Sequence, residues 1–264
     1  MDNQQMTECN YIEFEDFRLF FKRIKYPANP SEPVLIFLHD SWGCIRMWND
    51  FPEMLVKIFG LNALVYDRRG HGKSSPFSEK PRTRYYLDEE ADTLIRVMNS
   101  LDIKKAILYG HSDGATISII AGAMFPGRIA GLILESPHTF REKSGIEAVR
   151  KSRDDAKKNS LLPSLRKFHD DKTEELFKRW HETWLGEAFA DWTIVPVLKN
   201  IQCPVVAFRG ENDLLDTEAQ LDILKNEISS KVLITKIPNA GHTPHKENEE
   251  ETVKWVSKFL KITD

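Results

Sequence analysis

The stretch Ala106-Ile-Leu-Tyr-Gly-His-Ser-Asp-Gly-Ala-Thr-Ile-Ser-Ile-Ile-Ala-Gly-Ala-Met-Phe125 decides how the rest of the chain is read. Ala106 to Tyr109 is a short continuous apolar run, the pattern of a strand buried on both faces of a parallel sheet. The residues after Gly114 are small and apolar up to Pro126-Gly127, which predicts a buried helix. Gly110-His111-Ser112-Asp113-Gly114 joins the two. Between strand and helix, this G-x-S-x-G pattern predicts a sharp turn that holds the Ser112 hydroxyl clear of the sheet. The flanking glycines keep side chains off the neighbouring backbone. Stability does not require such a turn, and backbone strain gathers at functional sites. Ser112 is the candidate nucleophile.

Towards the N-terminus, Tyr11 to Tyr26 alternates apolar with polar around Asp16, as two antiparallel edge strands do. Pro30 and Pro33 punctuate the chain before the buried strand Pro33 to His39, which ends in Asp40-Ser41-Trp42-Gly43-Cys44. Trp48, Phe51, Leu55 and Ile58 share one helical face that Gly60 terminates. Leu61 to Tyr66 is a strand opening into Asp67-Arg-Arg-Gly-His-Gly-Lys-Ser74, and Leu87, Ala91, Leu94, Met98 and Leu101 mark an amphipathic helix.

Towards the C-terminus, Ile129 to Glu135 is a further strand, closed by Ser136-Pro137. This strand–helix rhythm predicts an α/β fold, a mostly parallel eight-stranded sheet with helices on both faces. From His138 to Trp192 the rhythm breaks into a densely charged stretch with an aromatic stripe of Leu176, Phe177, Trp180 and Trp184. We read residues 138–192 as a helical cap inserted after the sixth strand, over a core of residues 1–137 and 193–264, with a helical insertion packed elsewhere for stability as the alternative. Alternation resumes with the strand Pro204 to Gly210. Thr217-x-x-Gln220 then reads as a capping box opening a helix. Lys231 to Ile237 is the last strand, and Val253, Val256, Phe259 and Leu260 define a C-terminal helix.

The 264 residues carry a net charge of −3, so no basic field points to nucleic acid or an anionic membrane. Met1 to Asn10 lacks the apolar core of a signal peptide, and no apolar run approaches the ~20 residues of a spanning helix. A cytoplasmic location is expected. Cys9, Cys44 and Cys203 are an odd, widely spaced set that suits neither a disulfide framework nor a metal site, and Cys44 reads as a buried packing thiol. His242-x-x-His245 lacks an acidic partner at metalloprotease spacing, so no metal is expected.

A serine hydroxyl needs a base to take its proton, and the base needs an orienting acid. Such groups gather at the carboxyl ends of the strands. Gly210-Glu-Asn-Asp213-Leu-Leu-Asp216 and Pro238-Asn-Ala-Gly241-His242-Thr-Pro244-His245 supply them. Asp213 is favoured as acid because it comes directly off its strand, with Asp216 and Glu135 as alternatives. His242 is favoured over His245 as base for the same reason. His111 is expected to pack beneath the hydroxyl, and the Asp67–Arg69 turn to be structural.

With serine, acid and histidine in that order, the chain resembles an α/β-hydrolase with a helical cap, over nearly its whole length. Gly-His-Ser-Asp-Gly resembles the family's nucleophile elbow, and Asp67-x-Arg69-Gly70-x-Gly72-x-Ser74 matches its characteristic turn. Gly210-x-x-Asp213 and Gly241-His242 sit where the family places acid and base. The branch it is most similar to holds valacyclovir hydrolase-like and enol-lactonase-like enzymes. The resemblance implies an oxyanion hole built from the backbone N–H groups of Asp113 and Ser41. Asp40 departs from the common His-Gly pair.

The expectation is a serine hydrolase cleaving a small carboxylic ester through an acyl-enzyme, with Ser112, His242 and Asp213 as triad and no cofactor. Asp40, Asp113, Trp42, Trp180 and Trp184 are expected to contact substrate, the two carboxylates favouring an amino-bearing acyl group. Alternatives on the same triad are a thioesterase, a lactonase or a carbon–carbon bond hydrolase. A non-catalytic ligand receptor is the alternative of another class. The only partner implied is the small-molecule substrate, with no nucleic acid or membrane and a monomer or homodimer as the assembly.

Overall fold

A computed structural model describes residues 6–26, 33–156, 158 and 160–263. Pro30 and the first five residues of the N-terminal reading lie outside the described residues. In chain order the elements are β1 (Met6–Glu13), β2 (Arg18–Lys25), β3 (Val34–Leu38), α1 (Phe51–Phe59), β4 (Ala63–Tyr66) and α2 (Tyr86–Ser100). Next come β5 (Ala106–His111), α3 (Asp113–Met124), β6 (Ile129–Glu135), α4 (Lys143–Asp155), α5 (Leu161–His169) and α6 (Thr173–Leu185). The chain closes with β7 (Val205–Gly210), α7 (Ala219–Glu227), β8 (Val232–Ile237), α8 (Pro244–Glu247) and α9 (Glu249–Thr263).

The eight strands form one sheet in the order β1-β2-β4-β3-β5-β6-β7-β8. β1 and β2 run antiparallel at one edge, and the pairs from β4 to β8 are parallel. Side chains alternate across a strand. In β5, Ala106 and Leu108 join the core shared with α2, α3 and α7, while Ile107 and Tyr109 join the core under α1 and α9. Both faces being covered, the strand reads in sequence as an unbroken apolar run. α3 is apolar or small all round and buried from Asp113 to Ala123.

Two local expectations are corrected. Ile58 is half exposed, and the inward face of α1 is Phe51, Leu55 and Val56. Asn49, at φ 53°, ends the short 3-10 turn Ile45–Trp48 and breaks the register between that turn and α1. Gln220 makes no capping box. Its amide accepts from the Thr139 N–H at 2.6 Å and donates to the Phe140 carbonyl at 3.0 Å, so tertiary bonds replace the local one.

Those bonds brace the neck of the stretch between β6 and β7. Phe140 pairs with Thr193 as an isolated antiparallel bridge, and the Ile194 N–H donates to the Thr139 carbonyl at 2.8 Å. α4, α5 and α6 lie between these two ends. Among the described residues no helix is long and apolar enough to cross a membrane. Parallel pairing brings the carboxyl ends of β3, β5, β6, β7 and β8 to one edge, where the loops carrying Ser41, Ser112, His138, Asp213 and His242 meet.

Candidate active site

Ser112 is held at φ 55°, ψ −119°, in the sharp turn between β5 and α3. That turn is possible because Gly114 has no side chain. A Cβ there would lie 2.0 Å from the Leu38 carbonyl oxygen, so the start of α3 presses directly on the end of β3. The close approach brings the loop after β3 beside the Asp113 N–H. As the first residue of a helix, Asp113 has an N–H with no intrahelical acceptor.

Ser112 Oγ lies 3.1 Å from His242 Nε2, and His242 Nδ1 lies 2.9 Å from Asp213 Oδ2. The second Asp213 oxygen accepts from the Leu215 N–H at 3.0 Å, and Arg209 of β7 donates to the Asp213 carbonyl. Burial alone would raise the Asp213 carboxyl. The His242 ring and the Leu215 amide outweigh it and hold the group below its usual value. The β7 and β8 loops are packed so closely that a Cβ on Gly210 would lie 2.0 Å from the Gly241 carbonyl oxygen. The His242 carbonyl in turn accepts from His111 Nε2 at 2.8 Å and Ser136 Oγ at 3.1 Å. His111 does sit beneath the site, neutral, its pKa pushed down by burial to about 4.

The other carboxylate and histidine that the sequence offered pair with each other or elsewhere. The Glu135 carboxylate lies 2.9 Å from His245 Nδ1 and accepts from the Tyr109 hydroxyl at 2.8 Å, and Glu135 meets Ser112 through the main chain, its carbonyl accepting from the Ser112 N–H at 2.9 Å. Burial alone would raise Glu135, but the His245 and His111 rings reverse this and hold it down to about 2. Asp216 meets His138 instead. His138 Nδ1 is 2.8 Å from Asp216 Oδ2, and His138 Nε2 is 3.0 Å from Ser112 Oγ. Sequence reasoning missed His138, although it closes a strand end as Asp213 and His242 do.

The loop bearing Ser41 is fixed from behind. His71 Nε2 lies 3.1 Å from the Ser41 carbonyl oxygen, and Arg68 Nη2 donates to the Asp40 carbonyl at 2.8 Å. Asp67, off β4, accepts from the Ile45 and Lys73 N–H groups, both at 2.7 Å, so its turn is structural.

A cavity of about 160 Å³ opens on Ser112 and His242. Ser41, Asp40, Trp42, Trp180, Trp184 and His138 line it, with Val149 and Ala148 of α4. The Trp42 and Trp180 rings meet edge-on at 4.4 Å, so the aromatic stripe of α6 faces this space. A larger cleft of about 350 Å³ between the 79–84 loop and α6 holds none of the Ser, His and Asp groups above.

The expected pair of carboxylates around the acyl site is not met. The Asp113 side chain is buried away from the cavity, 3.3 Å from the Tyr86 hydroxyl and 3.9 Å from Arg68 Nη2. Its partner is the Asp67-Arg68-Arg69 turn, remote in sequence. Only Asp40 lines the cavity, with its carboxylate folded against Gly43.

Among the described residues no group of three or more His, Cys, Asp or Glu side chains converges to hold a metal ion. Cys44 is buried, its thiol pushed up by burial to about 12.

Comparison with known proteins extends these observations. The chain is 22% identical over 262 residues to 2-(acetamidomethylene)succinate hydrolase of Mesorhizobium japonicum, covering 87% of this chain and 88% of that protein. It is 24% identical to serine hydrolase BPHL of Mus musculus, over 75% of this chain and 68% of that one. It is 25% identical to 2-succinyl-6-hydroxy-2,4-cyclohexadiene-1-carboxylate synthase of Salmonella paratyphi C, over 89% of this chain and 97% of that one. The enol-lactonase from Burkholderia xenovorans LB400 shares the fold, with a TM-score of 0.73, 19% identity and coverage of 96% of this chain and 100% of that one. The model of the alpha/beta hydrolase family matches residues 35–255, and the chain belongs to that family.

Proposed function

We propose that this protein is a serine hydrolase that cleaves small carboxylic esters through an acyl-enzyme. One observation carries the reading: the unbroken chain from Asp213 through His242 to a strained Ser112 that opens into a cavity. His242 takes the Ser112 proton as Oγ attacks the ester carbonyl. Asp213 holds the ring's Nδ1–H tautomer and stabilises the imidazolium. The Asp113 and Ser41 N–H groups stabilise the oxyanion, as donors fixed in place before charge develops. Water then attacks the acyl-enzyme and releases the acid.

The cavity of about 160 Å³ suits a small acyl group, and Trp42, Trp180 and Trp184 make it apolar. Residues 138–192 act as the cap that selects substrate. The mouse relative is named a serine hydrolase, which supports the reaction class. A fluorophosphonate probe tests the reading. It labels the wild-type protein, and Ser112→Ala abolishes labelling. A folded wild-type protein that takes no label contradicts the proposal and favours a ligand receptor. A panel of activated esters, thioesters and lactones then ranks the substrate classes.

A further inference from the structure

Ser112 Oγ stands between two imidazoles, each backed by its own carboxylate. His242 and Asp213 lie on one side, His138 and Asp216 on the other, at 3.1 and 3.0 Å from the oxygen. The two rings are nearly parallel, 24° apart in plane with centroids 6.0 Å apart. One hydroxyl has one proton to give, so the two contacts differ in kind. If His242 accepts that proton, His138 donates to an Oγ lone pair from a protonated Nε2.

His138 is built in with care. Ser136, two residues before it, sits at φ 49°, so the chain turns left-handed at the end of β6. Strained backbone gathers at functional sites, and Ser112 shares the positive φ. Thr116 of α3 accepts from the His138 N–H at 3.3 Å and donates to its carbonyl at 2.8 Å. The ring packs edge-on against Trp184 of α6, at 5.3 Å, and its edge lines the cavity.

We propose that His138, held by Asp216, is a second catalytic histidine that acts as general acid towards the leaving group while His242 acts as base. This extends the serine hydrolase reading and rests on it. In acylation, His242 takes the Oγ proton and Oγ bonds to the carbonyl carbon. The carbon–oxygen bond to the alcohol then breaks, its electron pair leaves on the alcohol oxygen, and that oxygen takes the proton of His138 Nε2. In deacylation, neutral His138 takes a proton from the attacking water. The carbon–Oγ bond breaks, and Oγ takes the proton held by His242. Both rings return to their starting states.

The charges around His138 support this division. Asp216 meets the ring from the β7–α7 loop, with His242 across Oγ and Trp184 from α6, while Asp213 and the buried Asp113 of α3 act on it by charge at longer range. Burial alone would lower the pKa of His138, but the Asp216 carboxylate, with Asp113 and Asp213 beyond, pushes it up to about 9. Acid and base at one site are assigned by environments that separate two titrating groups.

The test is a series of esters of one acid whose leaving groups run from p-nitrophenol to ethanol. A nitrophenolate leaves without a proton, whereas an alkoxide needs one. His138→Gln is expected to lower kcat/KM for the ethyl ester by about 10²–10³-fold. For the p-nitrophenyl ester the expected loss is under about tenfold, because general acid catalysis adds little there. Asp216→Asn shifts the series the same way, and it serves if the first variant fails to fold. In the wild type, the ethyl ester activity is expected to fall with an apparent pKa near the value of about 9 for His138. The p-nitrophenyl activity lacks that limb. Equal losses across the series, or one alkaline profile for both esters, overturn the role of His138. Fluorophosphonate labelling of the wild type separates the cases: labelling with equal losses removes the second histidine alone, and no labelling removes both readings.

Discussion

His169, the last residue of α5, donates from Nε2 to the Trp42 carbonyl over 2.7 Å, and its Nδ1 accepts from the Gly72 N–H over 3.0 Å. A residue of the insertion thereby holds the loop that carries Ser41. The Gly72 bond requires an unprotonated Nδ1, so the two bonds together are made only by the neutral ring. His169→Ala is expected to lower kcat for every ester by about tenfold, part of the ~10²–10³-fold lost when an oxyanion donor is deleted outright. KM should move less. A change confined to KM, with kcat intact, contradicts a role in fixing the oxyanion loop.

The same ring sets a pH dependence. Burial holds the His169 pKa below the ordinary value of 6.5, outweighing the Trp42 carbonyl that favours the charged form. The unfolded chain therefore binds this proton more readily than the folded one. The stabilisation is whole above about pH 6.5 and declines as pH falls below it. Urea melts of wild type and His169→Ala should differ most at pH 7.5 and converge towards pH 5.5. A gap that widens in acid reverses the sign and refutes the assignment.

His138 predicts the opposite slope at the other end of the pH scale. Its folded-state pKa is raised, to about 9, so its stabilisation is complete below the unfolded value of 6.5 and is lost as pH rises through 9. The wild-type Tm should fall between pH 7 and 9.5 more steeply than that of His138→Gln. Parallel slopes contradict a charged His138–Asp216 pair.

Glu135 and His245 are buried at 2.9 Å beneath the site, with the Tyr109 hydroxyl on the same carboxylate. Glu135→Ala leaves a buried imidazole and a phenol without their acceptor and should cost about 3–5 kcal/mol of stability. Guanidinium melts measure it. The fraction that stays folded should still take a fluorophosphonate label, because the Glu135 carboxylate bonds Tyr109 and His245, while the contact with Ser112 runs through the main chain that alanine keeps. Unchanged stability contradicts the structural role.

Trp180 and Trp184 of α6 line the cavity that opens on Ser112. Replacing either by alanine should change the ranking of acyl chain lengths in kcat/KM more than it changes turnover of an acetyl ester. Trp184 is also nearly buried, and its loss should cost about 3–5 kcal/mol. Uniform losses for every ester, tracking the fall in Tm, make the stripe structural only.

The parts of the site legible in the sequence are those with local signals. An apolar run, a G-x-S-x-G and a small-residue helix place Ser112, and strand ends followed by Asp213 and His242 place their loops beside it. What sequence reasoning missed depends on partners far along the chain. Asp113 reads as a helix-end carboxylate near substrate, yet Arg68, 3.9 Å away, draws its side chain from the cavity. Asp216 reads as an alternative acid to Asp213, and its partner His138 lies far back in the chain, at the end of β6. Gln220 fits a capping pattern, but Thr139 competes for it and wins. The signal for His138 was present: it follows β6 at the same sheet edge, and attention to strand ends alone would have marked it. Among the described residues the eight strands follow the predicted rhythm, because burial on both faces writes each central strand as an apolar block.

The central claim is that Ser112 carries the acyl group between two half-reactions. A p-nitrophenyl ester should be mixed with enzyme, quenched in acid within the first turnover, digested and mapped by mass spectrometry. The acyl group is expected on Ser112 in the wild type, and on no residue in Ser112→Ala. A wild type that turns over the ester with no acyl group on Ser112, or with it on another residue, contradicts the account.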